Sequence, residues 1–232
     1  MPHKLWRWTW IAGLAAVLLF VLWQLSLVGR VWWWRDHNPS STAFMREQQS
    51  VLQQKNAAAK LKHQWVAYEK ISRNLKRAVI AAEDTAFVEH DGFDWEGMER
   101  AWEKNQQKGK VVAGGSTITQ QLAKNLFLSN DKSYLRKMQE AVIAAELEWL
   151  MDKERIFEIY LNVVEWGEGV FGAEAASRHY YGIAAAQLSA EQAAKLAAML
   201  PRPRFYDKNR SSRYLQGRAA IISQRMRQVE IP

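Results

Sequence analysis

Residues 83–94 read Glu-Asp-Thr-Ala-Phe-Val-Glu-His-Asp-Gly-Phe-Asp, and residues 114–125 read Gly-Gly-Ser-Thr-Ile-Thr-Gln-Gln-Leu-Ala-Lys-Asn. A third stretch, residues 136–141, reads Arg-Lys-Met-Gln-Glu-Ala. The first stretch closes an apolar helix with two carboxylates, and the second joins a glycine turn to a new helix. The third places two cations one helical turn from a carboxylate. Together they indicate a site with two carboxylates, a hydroxyl-bearing turn and three cations able to hold a phosphate.

Outside these stretches, the sequence predicts a succession of helices. Apolar residues recur at helical spacing after Ser72, Asp94, Ser133 and Asp152, each of which is a good helix cap. Ser189 and Gln192 form a capping-box pattern for a helix that ends before Pro201. We therefore predict a mainly all-α fold.

The remaining segments are assigned from turn chemistry and polarity. Residues 36–46 have the composition of a linker, and an alanine-rich, polar, solvent-exposed helix is predicted from Gln48 to Lys62. Residues 165–169 are predicted to form a loop, and a last basic helix is expected from about Ser212 to Val229. Only residues 111–113 and 171–173 suggest extended chain.

The N-terminal segment predicts a membrane anchor. No side chain from Trp8 to Gly29 is ionisable, and roughly 20 apolar residues are enough to cross a bilayer as a helix. Seven of the 12 tryptophans lie in residues 1–34, mostly flanking the apolar run, as expected at the level of lipid headgroups. Lys4 and Arg7 precede the run, which favours a cytoplasmic tip. A cleaved signal peptide is the competing interpretation, although no small-residue cleavage site follows the run cleanly.

Charge and cysteine content narrow the classes of function. The net charge of +8 and the pI near 9.7 favour an anionic partner such as nucleic acid, anionic lipid or a phosphorylated substrate. The absence of cysteine excludes disulfides and zinc–thiolate sites.

Each charged cluster has an ordinary interpretation as well as a catalytic one. Glu83 and Asp84 could be a solvated pair at a helix end, but neighbouring apolar residues would desolvate them and favour acid–base chemistry. His90 is expected to hydrogen-bond across the turn and order these carboxylates. Arg136 and Glu140 could form an exposed ion pair, yet the apolar residues that follow predict a helix buried around much of its circumference.

In order and spacing, the three stretches resemble the first three signature motifs of the peptidoglycan glycosyltransferases. That family comprises the glycan-polymerising domain of class A penicillin-binding proteins and its monofunctional, membrane-anchored biosynthetic relatives. Residues 153–162, followed by three glycines, resemble a fourth motif, which we interpret as mainly structural. The resemblance covers about residues 70–204. It departs at Ala86, where the family usually places a basic residue.

The resemblance implies a lysozyme-like bilobal helical domain with a smaller jaw, preceded by one transmembrane helix. It implies a division into residues 1–35 (cytoplasmic tip and anchor), 36–69 (juxtamembrane linker and helix) and 70–232 (glycosyltransferase domain). The catalytic residues it implies are Glu83, as general base, and Glu140. The substrate-binding residues it implies are Ser116, Thr117, Gln121, Lys124, Asn125, Arg136 and Lys137.

The implied reaction is the inverting polymerisation of lipid II into glycan strands, with release of undecaprenyl diphosphate. A divalent cation, Mg or Mn, is a candidate cofactor at the diphosphate, and no protein metal site is predicted. The expected partners are lipid II, the growing glycan strand and the bilayer, with cell-wall synthesis or division proteins as further candidates and no nucleic acid. The expected location is the bacterial inner membrane, single-pass, with the catalytic domain on the periplasmic side.

Two other functions remain open at this point. A lytic muramidase of similar helical fold would need a carboxylate but no cluster of phosphate-binding cations. A membrane-tethered basic adaptor for anionic polymers would scatter its cations over exposed faces. We also expect Glu83 and Glu140 to face each other across an open cleft, too far apart for a hydrogen bond, with Lys124 and Arg136 on the Glu140 side. Inverting glycosidases offer the analogy, with carboxyl groups roughly 6.5–9.5 Å apart.

Overall fold

The computed structural model describes residues 2–110, 114–128, 131 and 133–232, without the side chains of residues 2–5 and 7. The described residues are mostly helical, as predicted. Their α-helices are α1 (Pro2–Trp34), α2 (Ala43–Lys55), α3 (Arg73–Glu83), α4 (Trp95–Lys108), α5 (Ile118–Phe127), α6 (Tyr134–Leu150), α7 (Lys153–Val163), α8 (Ala173–Tyr181), α9 (Ala190–Met199), α10 (Pro203–Lys208) and α11 (Arg213–Arg225). Residues 111–113, for which extended chain was predicted, lie outside the described residues.

The chain separates into two compact units, Met1–Asn38 and Pro39–Pro232. Helix α1 makes up nearly all of the first unit. Its segment Trp8–Trp34 has a mean hydropathy of 2.4 over 27 residues, and its length and composition are sufficient to cross a membrane. The side chains along this segment are largely exposed, as they would be in a helix that packs against lipid.

The core of the second unit is built on α3, α5, α7 and α9. Helix α3 packs against α9 and α11, whereas α5 packs against α2, α6 and α7. The largest fully buried side chains include Phe87, Phe157, Tyr160 and Trp166. This packing places the last turn of α3 and the first turn of α5 side by side, where the first two sequence motifs meet.

The predicted helix starts are confirmed by side-chain caps. Ser72, Asp94, Ser133, Asp152 and Ser189 each accept a hydrogen bond from a backbone N–H in the first turn of the helix that follows. A cap of this kind typically stabilises a protein by about 1 kcal/mol. The last helix also starts as predicted, after the capping Ser212, but it ends at Arg225 rather than near Val229.

Helix α2 differs from the prediction. It begins at Ala43, because the Thr42 hydroxyl accepts from the Met45 N–H, and it ends at Lys55 before the extended Asn56. Met45 and Gln48 are buried, so the helix is packed rather than wholly exposed. The predicted linker and helix boundaries were therefore wrong.

The short sheet was also missed in part. Strand β1 (Lys62–His63) runs parallel to β3 (Val170–Phe171), and β3 pairs antiparallel with β2 (Glu165–Gly167), where a loop had been predicted. The chain leaves β3 at Gly172, whose φ is 84°. A Cβ there would lie 2.6 Å from the carbonyl oxygen of Asn162, so glycine allows α8 to start at once.

Helix α6 contradicts the prediction that it is buried around much of its circumference. Glu140, Ile143, Ala144 and Leu147 are buried on one side. The other side exposes apolar residues at helical spacing, namely Leu135, Met138, Val142 and Trp149. The helix is therefore two-faced, and Glu140 belongs to its inner face.

Candidate active site

Glu83 is the last residue of α3, and its two carboxylate oxygens have different surroundings. One oxygen, Oε2, accepts a hydrogen bond of 2.9 Å from the side-chain amide of Gln121 on α5. The other oxygen, Oε1, is buried and has no hydrogen-bond partner within the part of the chain that the structure describes. Burial raises the pKa of the Glu83 carboxyl, although the bond from Gln121 and the positive charge of Arg218 oppose the shift. Glu83 therefore has the properties of a proton acceptor with one unoccupied oxygen.

Asp84, the next residue, has a structural role. It is buried, its Oδ1 accepts from His90 Nε2 at 3.0 Å, and its Oδ2 accepts from the backbone N–H of Ile118 at 2.9 Å. The expectation that His90 orders a carboxylate across the turn is confirmed for Asp84. Because both oxygens are engaged, Asp84 fixes the first turn of α5 against the end of α3.

The turn after α3 is stabilised by hydrogen bonds from the cap of α5 and from α7, and α6 binds the same lysine of α7. The Thr117 hydroxyl donates to the carbonyl oxygen of Gly92 at 2.7 Å. Lys153 donates to the carbonyl oxygen of His90 and, at 2.8 Å, to Glu148. These contacts explain how the fourth motif, predicted to be structural, supports the first.

The glycine turn borders the same cavity as Glu83. Thr117 and Gln120 form a capping box, and the Thr117 hydroxyl is therefore engaged at both its donor and its acceptor positions. Gly115 lies against Met98 of α4, where an added Cβ would approach within 3.2 Å. The cavity has a volume of about 220 Å³, and its lining includes Glu83, Asp84, Asp94, Arg100, Ser116, Thr117 and Arg225.

Glu140 has a different environment from Glu83. It is buried, with its Oε2 accepting from Arg136 at 2.6 Å and its Oε1 accepting from Lys137. Lys137 also donates to the Ser116 hydroxyl at 3.2 Å, which links α6 to the glycine turn. The structure thus joins Glu140, Arg136, Lys137 and Ser116 in one contiguous cluster.

Lys124 of α5 adds a third cation near this cluster. Burial lowers the pKa of Lys124, as do the positive charges of Arg136 and Lys137, while the negative charge of Glu140 acts in the opposite direction. Asn125 is buried in α5, and no hydrogen bond among the described residues joins it to these charges. Three cations around one carboxylate leave a net positive charge for an anion.

The two carboxylates have separate partners. Glu83 interacts with Gln121 and Arg218, whereas Glu140 is held by Arg136 and Lys137. No hydrogen bond between Glu83 and Glu140 occurs within the described ranges. Their predicted separation across an open cleft stays a prediction.

Helix α11 contributes two arginines that the sequence analysis did not select. An Nη2 of Arg218 lies 3.4 Å from the carbonyl oxygen of Ala82, next to Glu83. Arg225 lines the cavity that contains Glu83. The basic character of α11 was visible in the sequence, but its packing against α3 was not.

The described residues do not fit a dedicated divalent-cation site. They contain no group of three or more His, Cys, Asp or Glu side chains that could hold a metal. Glu140, the carboxylate nearest the cations, already accepts from two positively charged side chains. A Mg or Mn ion would have to be brought by the diphosphate of a substrate, and that expectation stays a prediction.

Comparisons with known proteins show the family of the chain. The family model described as Transglycosylase matches residues 48–227. A biosynthetic peptidoglycan transglycosylase of Herminiimonas arsenicoxydans is 64% identical over 219 residues, which cover 94% of this chain and 95% of that protein. Proteins of the same name from Janthinobacterium sp. (63% identity; 93% of this chain and 94% of the relative) and Thiobacillus denitrificans (56%; 99% of each) are similar over comparable lengths. On the match of the family model and of these relatives, the chain belongs to the transglycosylase family.

Proposed function

We propose that this protein polymerises lipid II into the glycan strands of peptidoglycan, with inversion at the anomeric carbon. The observation that carries the proposal is the contrast between Glu83, which has a desolvated, unoccupied oxygen, and Glu140, which is surrounded by cations. The names of the relatives and the family model agree with this reaction.

In the proposed reaction, the 4-hydroxyl oxygen of an incoming lipid II attacks the anomeric carbon of the growing chain. The bond from that carbon to the diphosphate oxygen breaks, and the diphosphate departs with the electron pair. Oε1 of Glu83 takes the proton of the attacking hydroxyl. Since the diphosphate is on the α face, direct displacement gives a β linkage.

Charge on the departing diphosphate would be stabilised by Lys124, Arg136 and Lys137. Such electrostatic stabilisation is usually the largest single contribution to catalysis. Glu140 holds Arg136 and Lys137 in place through its two oxygens, so we assign it a positioning role toward these cations. Ser116, which accepts from Lys137, fixes the same cation from the glycine turn.

We further propose that α1 anchors the protein in the inner membrane with the second unit on the periplasmic side. The lipid of the substrate is confined to the bilayer, so an anchored enzyme and its substrate both diffuse within the same membrane. Labelling of a cysteine introduced in the exposed α4 by a membrane-impermeant reagent in intact spheroplasts tests the orientation. A cysteine that reacts only after lysis would contradict it.

An assay with fluorescent lipid II tests the proposed reaction. The wild-type protein should give polymer with β linkages, and Glu83→Gln should give none while still binding lipid II. A breakdown of preformed glycan would favour a muramidase, and binding without turnover would favour an adaptor. Near-normal polymerisation by Glu83→Gln would contradict the assignment of Glu83 as the base.

A further inference from the structure

A hydrogen-bonded chain runs from the protein core to Glu83. The hydroxyl of Tyr160, a fully buried residue of α7, donates to Oε1 of Gln121 at 3.0 Å. Nε2 of the same Gln121 donates to Oε2 of Glu83 at 2.9 Å. Tyr160 lies in the fourth motif, which the proposed function does not use. These two hydrogen bonds link α7 to the end of α3 through one side chain of α5.

The amide of Gln121 can satisfy both neighbours in one orientation only. A side-chain amide has a donor end and an acceptor end, and a flip would turn its oxygen toward the Glu83 carboxylate. The same flip would leave the hydroxyl proton of Tyr160 without its acceptor, since Gln121 is the partner it has among the described residues. Leaving a buried donor unpaired is costly, so Tyr160 reinforces the orientation that the acceptor-only Glu83 carboxylate also favours.

Tyr160 remains a donor throughout the range in which the enzyme would work. Burial raises the pKa of its hydroxyl well above the usual value, and the negative charges of Glu83 and Asp84 add to the shift. The hydroxyl therefore keeps its proton, and its carboxylate neighbours strengthen that preference.

We propose that Tyr160 is a positioning residue that orients the Gln121 amide. In this orientation the amide holds Oε2 of Glu83, and Oε1 is left free to take the proton of the attacking lipid II hydroxyl. This inference rests on the proposed role of Glu83 as the general base. Tyr160 does not touch Glu83; it acts through Gln121.

The orientation of the Gln121 amide also affects the pH dependence of the reaction. The charged groups that act on Glu83 are Arg218 from α11 and Asp84 at the end of its own helix, and Gln121 is its hydrogen-bond donor from α5. The bond from Gln121 lowers the pKa of Glu83, so losing the correct amide orientation raises it. Because only the ionised carboxylate accepts a proton, the acid limb of kcat/KM should move to higher pH.

The experiment compares Tyr160→Phe with the wild-type protein and with Tyr68→Phe. Tyr68 is a matched control, since it is also a buried tyrosine and its hydroxyl donates to the carbonyl oxygen of Pro232 at 2.7 Å. In Tyr160→Phe, the acid limb of kcat/KM should move up by as much as about one pH unit, the order expected for one hydrogen bond to a carboxylate. On the alkaline side of the limb the rates should agree within about twofold. Tyr68→Phe should leave the limb unmoved.

A second comparison tests the route through Gln121. Gln121→Ala should move the limb in the same direction, and adding Tyr160→Phe to it should change the midpoint no further. Additive shifts, or an unmoved limb in folded Tyr160→Phe, would overturn the proposal. If the limb does not move in Tyr160→Phe while Glu83→Gln is inactive in the same assay, only the role of Tyr160 is refuted. An active Glu83→Gln refutes instead the assignment of Glu83 as the base, on which this inference rests.

The wild-type protein gives an independent measurement in case Tyr160→Phe does not fold. With glutamine labelled by ¹⁵N, the side-chain amide resonance that is lost in Gln121→Ala should titrate with the midpoint of the acid limb. A resonance that does not respond to pH, or a midpoint elsewhere, would contradict the coupling of Gln121 to Glu83.

Discussion

Glu83 at the end of α3 and Glu140 in the second turn of α6 carry the same side chain in opposite surroundings. Glu83 has one neutral donor, and burial raises the pKa of its carboxyl. Glu140 is bound by two cations, which compensate its charge. The surroundings therefore give one residue type two roles. A carboxylate whose charge is poorly compensated accepts a proton, and one whose charge is compensated positions cations.

Among changes to Glu140 and its partners, the largest effect is expected from removing the two cations that bind this carboxylate. Arg136→Ala combined with Lys137→Ala should lower polymerisation by about 10²–10³-fold, because two of the three cations proposed to stabilise the leaving diphosphate are lost. The double variant also leaves Glu140 buried without its two hydrogen-bonded cations. Adding Glu140→Gln should therefore restore part of the thermal stability but none of the activity.

The control for this prediction is Arg213→Ala, which removes an exposed cation of α11. Lipid II assays and thermal unfolding of the same preparations in detergent provide both readouts. Activity of the double variant within tenfold of the wild type would contradict the role of these cations.

A smaller effect is expected on the free energy of unfolding, which should respond differently to glutamine at Glu140 and at Glu83. Glu140→Gln should lower the free energy of unfolding by about 1–3 kcal/mol, since it weakens two charge-assisted hydrogen bonds. Glu83→Gln should leave it unchanged or raise it at neutral pH, because the charged form of Glu83 is disfavoured by burial. Urea unfolding followed by circular dichroism measures both. A loss of the same size in the two variants would contradict the comparison.

The pH dependence of this difference has a defined sign. A carboxyl whose pKa is raised on folding binds protons more tightly in the folded state, so its contribution to stability falls as pH rises through the interval between the unfolded and the folded pKa. Glu83→Gln removes that decline. The stability advantage of this variant should therefore appear on raising the pH and vanish in acid.

The smallest effect is expected on the outer face of α6. Met138→Gln should change the free energy of unfolding by no more than about 0.5 kcal/mol, because Met138 is 66% exposed. Ile143→Gln, a matched change on the fully buried inner face, should cost several times more. Thermal unfolding distinguishes the two, and equal losses would show that α6 has no exposed face.

Local features of the sequence predicted much of the fold. Ser72, Asp94 and Ser133 cap their helices as expected, because a cap requires contacts only within one turn. The exposed face of α6 was not predicted, because apolar residues that are adjacent in the sequence lie on different sides of a helix. Leu135, Met138 and Trp149 share a helix face that does not include Glu140.

The candidate site was predicted as a set of residues but not as a set of contacts. Asp84 bonds to the N–H of Ile118, 34 positions away, and Tyr160 reaches Gln121 across 39 positions. Such pairings depend on how α3, α5 and α7 pack, which helical spacing does not specify. Arg218 was overlooked for the same reason, since α11 meets α3 only in the folded chain.

An infrared difference titration of the wild-type protein against Glu83→Gln tests directly whether Glu83 is the buried carboxyl with the raised pKa. Burial raises the pKa of Glu83, so Glu83 should contribute a protonated carboxyl band to the wild-type spectrum above the pH at which ordinary carboxyl groups have ionised. That band should be absent from Glu83→Gln and present in Glu140→Gln. A Glu83 band that titrates in the ordinary carboxyl range, or one that disappears in Glu140→Gln instead, would contradict the account.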